Sequence, residues 1–371
     1  MARRKKQIVR IEEEQDNDVE SEIIIHDNKR DIIALDDSNN SIYSMPPLYD
    51  LAFGYRNYEE EVDFLLQMHS KHSSTNSGGS GMRLLELAAG PARHSLSALS
   101  CHPKTIVHSV MALDSSSNMV EYGIKNANVD LGNGGGRRDD FVYLCGDMRQ
   151  VCDYCPTDSM SFDGVWLLLG SMQHLLTNDD VISLFTSLHS VIKDDATIVI
   201  ELPHPREVFK MGECTTNGWT VPLVEEGDND DDDDYVDDDD DDKKQVGEYG
   251  HLSIVWGKDT DEFDPVSQIR HFTIEFELTV NDINNIPSQN NDDDDTSILF
   301  SQMKKASNGG SKLSIREVVP LRLFTLQEID ALARCAGFEM VDTFGALSED
   351  VSIDDEDEAF RMVCVLRKKE R

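Results

Sequence analysis

Three acidic residues each follow a short apolar run of the kind that forms a buried strand. Glu86 ends the run in MRLLELAAGPARH (82–94), which then turns through small residues into a helix start, and Asp114 and Asp147 follow later runs. The carboxyl ends of parallel strands meet at one edge of an open sheet, where ligands bind near the point at which the strand order reverses. The spacing therefore predicts a ligand site with three carboxylates at its rim.

The turn after Glu86 distinguishes between nucleotide ligands. A dinucleotide site uses the pattern G-x-G-x-x-G to bring backbone N–H groups against a pyrophosphate. Of that set Gly90 remains here, with Ala88 and Ala92 at the neighbouring positions, and the charge of Glu86 would repel a pyrophosphate. These residues favour a ligand that has an adenosine group and a cationic end but no phosphate. They leave an NAD-dependent oxidoreductase as a weaker alternative.

Strands and helices alternate around these residues. Apolar runs suited to buried strands are separated by segments of helical length, and they occur at 82–88, 106–113, 141–145, 162–169 and 196–202. Alternating strands and helices imply βαβ units and a parallel sheet covered on both faces. The sequence therefore predicts an α/β fold with a doubly wound sheet, preceded by an amphipathic helix at 57–69.

A different pattern follows the fifth of these strands. In IRHFTIEFELTV (269–280), apolar and polar residues alternate with a period of two, which is typical of an antiparallel strand with one solvated face. We expect its partner strands at 251–257 and 311–319. The segment is thus predicted to be an antiparallel β insert.

The α/β pattern returns at the end of the chain. A helix is expected between Thr325 as its N-cap and Gly337 just past its end, and a last strand at 360–369. The predicted division of the chain is a disordered acidic segment at 1–44, a core with an N-terminal lid helix at 45–203 and its central motifs at 82–195, an antiparallel insert at 204–320 with disordered acidic loops at 225–247 and 285–311, and a C-terminal helix and strands at 321–371.

The formal net charge of −38 is concentrated in a few segments. Half of the 72 acidic residues lie in four spans, at 12–37, 225–242, 292–295 and 349–358. A charge carried by solvated segments says little about what a folded core binds. The remainder is close to neutral and has no basic face suited to a phosphate backbone, so we expect no nucleic-acid partner.

No apolar run approaches the ~20 residues of a membrane span, and the N-terminus lacks the apolar segment of a signal peptide. We therefore expect a cytoplasmic protein with no membrane partner. The basic arm at 1–10 leaves a nuclear location open, and the oligomeric state is not predicted.

Metal sites are not expected. Seven scattered cysteines do not suggest a disulfide framework, and Cys152 and Cys155 form a CxxC with no second ligand pair nearby. The Asp run that starts at Asp228 has Asp233 and Asp239 where a calcium-binding EF-hand loop needs Gly and Glu. Two loop thiols and a solvated acidic loop are the predicted interpretations.

Four segments resemble, in order, the motifs of the class I S-adenosylmethionine-dependent methyltransferases. They are LLELAAGPARHS, VMALDSSSNMVEYG, YLCGDMRQV and FDGVWLLLGSMQHLL. The resemblance covers about 45–202 and 320–369. It implies a Rossmann-like seven-stranded sheet with an antiparallel insert after the fifth strand, S-adenosylmethionine as cofactor, and methyl transfer by in-line displacement.

The resemblance also implies site residues. Glu86 would meet the ammonium group of the cofactor's methionine part, directly or through water, and the small residues Ala88 and Gly90 would give the backbone room to approach. The adenosine part would be bound by carboxylates and methionines: Asp114, beside Ser115, for the ribose hydroxyls, Asp147 for the adenine amino group, and Met119 and Met148 on the two faces of the ring. Leu169 would form the rim nearest the methyl group.

PLYDLAFGYRNYEEEVDFL, before the first strand, resembles the N-terminal lid of small-molecule N-methyltransferases. By that likeness Tyr49 or Tyr55 would close over the donor, and Arg56 would pair with its carboxylate, because the planar guanidinium binds a carboxylate bidentately. The alternative is that Arg56 forms a surface ion pair with Glu59 or Glu60.

Methyl transfer needs alignment and desolvation rather than a catalytic triad. A base is required when the acceptor holds a proton that must leave, and His174 and His204 stand just past the fourth and fifth strands. Either histidine could instead be structural. A small-molecule acceptor is expected, with a protein acceptor left open. The alternative function is a non-catalytic interaction protein that acts through its acidic segments.

Overall fold

The computed structural model describes residues 22–24, 41–73, 81–132, 137–155, 161–209, 217–224, 248–281 and 312–369. The strands, in chain order, are β1 (Glu22–Ile24), β2 (Met82–Leu87), β3 (Val107–Asp114), β4 (Phe141–Cys145), β5 (Phe162–Leu167), β6 (Ile192–Pro203), β7 (Asn217–Val224), β8 (Glu248–Trp256), β9 (Phe263–Asp264), β10 (Ile269–Val280), β11 (Lys312–Arg322), β12 (Phe338–Phe344) and β13 (Arg361–Lys368). The α-helices are α1 (Pro46–Phe53), α2 (Tyr58–His72), α3 (Arg93–Cys101), α4 (Ser117–Asp130), α5 (Val151–Tyr154), α6 (Asn178–Val191), α7 (Pro205–Val208) and α8 (Leu326–Cys335).

The main sheet has seven strands in the spatial order β4-β3-β2-β5-β6-β13-β12. Strands β2 to β6 are parallel to their neighbours in this group, whereas β13 is antiparallel to both β6 and β12. The chain passes from β2 outward to β4 on one side and from β5 outward to β6 on the other. The strand order therefore reverses between β2 and β5, and the predicted doubly wound α/β class is confirmed.

Both faces of the main sheet are buried. Successive residues of β2 alternate between two apolar cores, so that Leu85 shares a core with Phe185 of α6, and Leu84 shares the other with Leu65 of α2 and Leu96 of α3. A parallel sheet with helices on each side requires this arrangement. It holds the carboxyl ends of β2 and β5 rigidly side by side.

Local capping chemistry sets the helix ends. The side chain of Thr325 accepts the N–H of Glu328, whose carboxylate accepts the N–H of Thr325 in return, and this capping box opens α8. Past the helix, Gly337 has a φ of 85°, a left-handed conformation that glycine adopts without strain. The predicted N-cap and end of this helix are both confirmed.

The insert forms a second, antiparallel sheet in the order β1-β11-β10-β8-β7, with β9 paired to β10. Strand β10 has the predicted bounds, and it pairs with β8 and β11 as expected. Its apolar side is buried together with Leu48 and Ala52 of α1. The insert therefore packs against the lid segment before the first strand of the main sheet.

The structure describes secondary structure in two parts of the N-terminal segment (1–44) that we expected to be disordered. Strand β1 adds to the edge of the insert by antiparallel pairing with β11, and a 3-10 turn at Ile42–Ser44 buries Ile42. An apolar run of three residues among charges is too short to predict a strand, but an open sheet edge can pair with it. Residues 1–21 and 25–40 and the loops expected at 225–247 and 285–311 lie outside the described residues.

None of the helices in the described part of the chain has the length and apolar character of a membrane span.

Candidate functional site

Two left-handed turns lie side by side where the strand order reverses. After β2, Ala88, Gly90 and Ala92 have φ values of 49°, 54° and 60°. After the neighbouring β5, Leu169 and Gly170 have φ values of 56° and 74°. A non-glycine residue in this conformation costs about 1–3 kcal/mol, and such strain collects at functional sites. These two turns mark the candidate site.

Asp114 joins the ends of β2 and β3. Its Oδ2 accepts the backbone N–H of Gly90 at 2.8 Å, and its Oδ1 accepts the N–H of Ser116 at 2.8 Å. Burial raises the pKa of Asp114 above its usual value. Each oxygen keeps capacity for a further hydrogen bond, so the carboxylate can receive two hydroxyl groups. The N–H of Gly90 is already used and is not free for a phosphate.

Glu86 is buried against the start of α3. It is 3% exposed; its Oε2 accepts the N–H of Ser95 at 3.0 Å and also the Ser95 hydroxyl, and its Oε1 lies 3.5 Å from Nδ1 of His94. A helix N-terminus attracts a carboxylate because its N–H groups lack helical partners. That Glu86 meets a ligand ammonium group, directly or through water, stays a prediction.

Asp147 lies at the end of β4 but is paired within the protein. It caps a short turn by accepting the N–H of Arg149, and it also forms an ion pair with the guanidinium of Arg149, which reaches Asp180 as well. The Arg149 hydrogen bond lowers the pKa of Asp147. An adenine amino group would have to share this carboxylate with Arg149.

The other residues expected around adenosine differ in exposure. Met119, in the first turn of α4, is buried, and Met148 is half-buried against the core that contains α6. Ser115 is exposed, between Asp114 and the N-cap residue Ser116. That Met119 and Met148 contact an adenine ring stays a prediction.

The lid segment brings Tyr49 over the first turn. A Cβ atom built on Gly90 would lie 3.9 Å from Cε1 of Tyr49, and burial raises the pKa of the Tyr49 hydroxyl. Tyr55 is 64% exposed, and its ring lies edge-on to Trp219 of the insert. Of the two tyrosines expected to close the site, Tyr49 lies at the turn and Tyr55 does not.

Arg56 pairs with neither Glu59 nor Glu60. Its Nε bonds to Glu61 at 3.0 Å and its Nη2 to Glu201 at 3.1 Å, and its side chain is 7% exposed. The surface ion pair expected as an alternative is therefore wrong. Among the described residues, Nη1 of Arg56 has no hydrogen-bond partner, so its two N–H groups are left for a ligand or water.

His174 lies at the other side of the site, after β5. Its Nε2 and the hydroxyl of Tyr43 share a hydrogen bond of 3.1 Å, and Nδ1 has no partner among the described residues. The ring is partly open to solvent, but neighbouring protein atoms remove enough water to lower its pKa. His174 is therefore a neutral imidazole with one nitrogen available.

His204 has a structural role, which corrects its expected place among the catalytic residues. Its Nδ1 accepts the N–H of Arg206 as the N-cap of α7, and its Nε2 donates to the carbonyl of Ile353 at 3.0 Å. It is buried. With both ring nitrogens bonded to backbone groups, His204 is not available to take a proton.

Sequence reasoning missed four residues at this site: Tyr43, Glu61, His94 and Glu201. Glu201 carried a usable signal, because it ends an apolar run as the three predicted acids do. Its Oε2 accepts the N–H of Leu169 at 2.9 Å, so it ties the end of β6 to the turn after β5. Tyr43 lay in the segment expected to be disordered.

No group of three or more metal-ligating side chains exists within the described ranges. Cys152 and Cys155 have free thiols, and burial raises the pKa of Cys155 to about 11.

No protein-family model matches the sequence. No curated protein matches it.

Solved structures do match over most of the chain. The sugar N-methyltransferase KedS8 from Streptoalloteichus sp. has a TM-score of 0.55 at 12% identity, over 93% of this chain and 100% of that one. The amino pentose methyltransferase CalS10 from Micromonospora echinaspora, solved with S-adenosylmethionine bound, has a TM-score of 0.53 at 14% identity, over 87% and 97%. The CcbJ methyltransferase from Streptomyces caelestis has a TM-score of 0.53 at 13% identity, over 89% and 99%.

Identities this low establish the fold and not the reaction. The chain has the fold of the class I S-adenosylmethionine-dependent methyltransferases, as its four motifs suggested.

Proposed function

We propose that this chain, which has the class I methyltransferase fold, is an S-adenosylmethionine-dependent methyltransferase that acts on a small-molecule acceptor. The observation that carries the proposal is the hydrogen bond from the Gly90 N–H to Asp114. In a dinucleotide site the N–H groups of this turn would bind the pyrophosphate; here the Gly90 N–H is donated to Asp114, whose carboxylate keeps capacity for the ribose hydroxyls. The first turn is therefore built for a phosphate-free adenosine ligand.

The residues present fit such a ligand. Asp114 would accept the two ribose hydroxyls, and the turn around Gly90 carries small side chains beneath Tyr49. Arg56, through its unpartnered Nη1, would bind the carboxylate of the amino-acid end. S-adenosylmethionine, when bound, supplies a methyl group activated by its sulfonium. The task of the protein is then to align an acceptor and exclude water.

We propose His174 as the base for an acceptor that must lose a proton. Its Nε2–H would donate to the oxygen of Tyr43, which leaves Nδ1 able to accept a proton. The lowered pKa keeps the ring neutral at physiological pH, as a base requires. Tyr43 would hold the ring in the correct tautomer.

A small amine is the acceptor class that we favour. The described sheet of the insert packs on α1 beside the site, so the acceptor side is roofed. The similar structures named above include a sugar N-methyltransferase and an amino pentose methyltransferase. Those acceptors belong to those proteins, and they give the first compounds to try here.

Ligand-dependent stabilisation tests the proposal. The purified full chain is melted with S-adenosylhomocysteine, S-adenosylmethionine or NAD at a hundredfold excess over the dissociation constant, which adds about 2.7 kcal/mol of stability for a true ligand. We expect a rise in melting temperature with the two adenosyl compounds. Stabilisation by NAD alone would contradict the proposal.

A deletion distinguishes the proposed enzyme from the alternative function, a non-catalytic protein that acts through its acidic segments. Val224 and Glu248 are paired in the neighbouring strands β7 and β8, so a short turn can replace 225–247. An enzyme keeps its affinity for S-adenosylhomocysteine after this deletion. A protein that works through its acidic segments keeps its fold and loses its partners.

A further inference from the structure

A chain of alternating charges runs beneath the site. Glu86 contacts His94, His94 contacts Glu61 at 2.8 Å, Glu61 contacts Arg56 at 2.9 Å, and Arg56 contacts Glu201 at 3.1 Å. It links the first turn to the lid and, through Glu201, to the turn after β5. These charged residues therefore connect, through the lid, the two turns that mark the site.

His94 is the central cation of this chain. It is 2% exposed, with Glu61 of α2 on Nε2, Glu86 of β2 on Nδ1, and the ring of Tyr58 edge-on at 4.9 Å. Burial alone would lower the pKa of His94, but the hydrogen bonds to Glu61 and Glu86 outweigh it and raise the pKa to about 9. The ring is therefore an imidazolium at neutral pH, with its Nε2–H donated to Glu61 and its Nδ1 in an ion pair with Glu86.

Charge balance explains why the protonation of His94 affects Arg56. With His94 protonated, the carboxylates of Glu61, Glu86 and Glu201 are matched by His94, Arg56 and Arg361, since Arg361 lies 3.3 Å from Glu201. Buried charges are stable only when they are matched in this way. Without the charge on His94, Glu61 would depend on Arg56 alone.

Two carboxylates fix the orientation of the Arg56 guanidinium. Glu61 holds Nε and Glu201 holds Nη2, which fixes the plane of the guanidinium. Nη1 is the guanidinium nitrogen that has no partner among the described residues. A planar, fixed guanidinium with one free nitrogen suits a single carboxylate.

We propose that His94 and Glu61 are positioning residues that hold Arg56 so that its Nη1 binds the carboxylate at the amino-acid end of the methyl donor. This rests on the proposed function. His94 touches no ligand itself; it shares the charge of Glu61, so that Arg56 keeps part of its own charge for the ligand. Losing the His94 charge therefore weakens recognition of the amino-acid end and spares recognition of adenosine.

Two ligands separate these effects. S-adenosylhomocysteine has the amino-acid end, whereas 5′-methylthioadenosine has the same adenosine and thioether without it. Calorimetry on the full chain compares wild type with His94→Gln and Glu61→Gln. We expect each variant to bind S-adenosylhomocysteine about tenfold more weakly, the usual effect of losing a charged hydrogen bond, and to bind 5′-methylthioadenosine within about twofold of wild type.

His72→Gln is the matched control, because His72 is also on α2 and pairs with Asp342 outside the chain of charges. It should bind both ligands as wild type does. Equal weakening of both ligands by His94→Gln, or no weakening of either, overturns the proposal. A wild-type protein that binds neither ligand refutes the proposed function instead.

A double-mutant cycle with Arg56→Met tests whether His94 acts through Arg56. If His94 acts through Arg56, then His94→Gln adds little to the loss caused by Arg56→Met; additive losses overturn the proposal. Where the variants do not fold, NMR of the His94 ring in the wild type decides. S-adenosylhomocysteine should raise the pKa of His94 and 5′-methylthioadenosine should not, and equal pKa values with both ligands overturn the proposal.

Discussion

The carboxylate of Asp114, at the end of β3, accepts the backbone N–H of Gly90 in the turn after the neighbouring β2, at 2.8 Å. A second backbone N–H, that of Ser95 in α3, is accepted by Glu86. Protein carboxylates thus occupy the N–H groups at the first turn and helix start that phosphate-binding folds offer to their ligands. Under the proposed function, this arrangement favours an adenosine ligand without a phosphate.

Asp114→Asn should weaken binding of S-adenosylhomocysteine by roughly 10- to 100-fold, the range for a lost charge-assisted hydrogen bond. The amide has one oxygen, so it loses either a backbone partner or a ribose partner. Calorimetry measures the effect. Asp139→Asn, at an exposed position after α4, should bind as wild type does; an equal loss in both variants would rule out a specific role for Asp114.

His174→Ala should slow methyl transfer by about 100-fold, the lower range for general-base catalysis, and leave the affinity for S-adenosylhomocysteine within about twofold. The rate is measured by mass spectrometry with the first amine that wild type methylates. His271→Gln, on the exposed side of β10, is the control. Unchanged turnover in His174→Ala would show that His174 is not the base.

Ala88→Gly should stabilise the protein by up to about 1 kcal/mol: Ala88 has a φ of 49°, and glycine removes a left-handed strain of about 1–2 kcal/mol at an entropic cost of about 0.5–1 kcal/mol. The next residue, Ala89, is buried and has no positive φ, so Ala89→Gly should destabilise. Urea unfolding of both variants measures the change. Two shifts of the same sign would contradict the argument from backbone strain.

His69 should make the protein less stable in acid. His69 belongs to α2, and its ring packs against Gly164 and accepts the indole N–H of Trp166 on Nε2 at 2.7 Å. Burial lowers the pKa of His69 from 6.5 to about 3. Between these values the unfolded chain binds a proton that the folded chain does not. The free energy of unfolding contributed by His69 should therefore fall by about 1.4 kcal/mol per pH unit below pH 6.5.

Denaturant unfolding between pH 8 and 5 measures this slope. His69→Gln should show a smaller slope than wild type, and His72→Gln, three residues further along α2, should keep it. Identical slopes in wild type and His69→Gln would mean that His69 has the same pKa in the folded and unfolded protein, which contradicts the prediction.

His94 should change the pH dependence of stability in the direction opposite to His69. Its pKa is raised from 6.5 to about 9, so its contribution is fully present below pH 6.5, falls as the pH rises from there, and is gone above about pH 9. Unfolding of wild type and His94→Gln between pH 6 and 10 measures the difference. A difference that does not shrink with rising pH would contradict a protonated His94.

The fold could be predicted from the sequence because its signals are local and repeated. Strand β4 and strand β10 have the predicted bounds, and the capping residue Thr325 opens α8 as expected. Each of these depends on a few neighbouring residues: a run of apolar side chains, a period of two, or a side chain that accepts a nearby N–H. Strands that are consecutive in the chain are neighbours at β2–β3, β3–β4 and β5–β6, whereas the return from β4 to β5 is decided by the tertiary structure.

The partners of the charged residues could not be predicted in the same way. Arg56 pairs with Glu201, far along the chain, and Glu86 pairs with His94 in the first turn of α3. Many carboxylates of the chain were candidates for Arg56, and sequence spacing favoured Glu59 and Glu60. His204 likewise stands at the end of a strand, as a base would, yet the backbone takes both of its ring nitrogens.

The sequence by itself determined that strands and helices alternate, that a β insert follows β6, and that acids end the strands at the edge where a ligand is expected. The tertiary structure alone decided which of those acids remain open to a ligand. Hydrophobic periodicity acts over a few residues and is written along the chain. The availability of a buried charge depends on which opposite charges the fold brings within hydrogen-bond distance, and that is set by packing between distant segments.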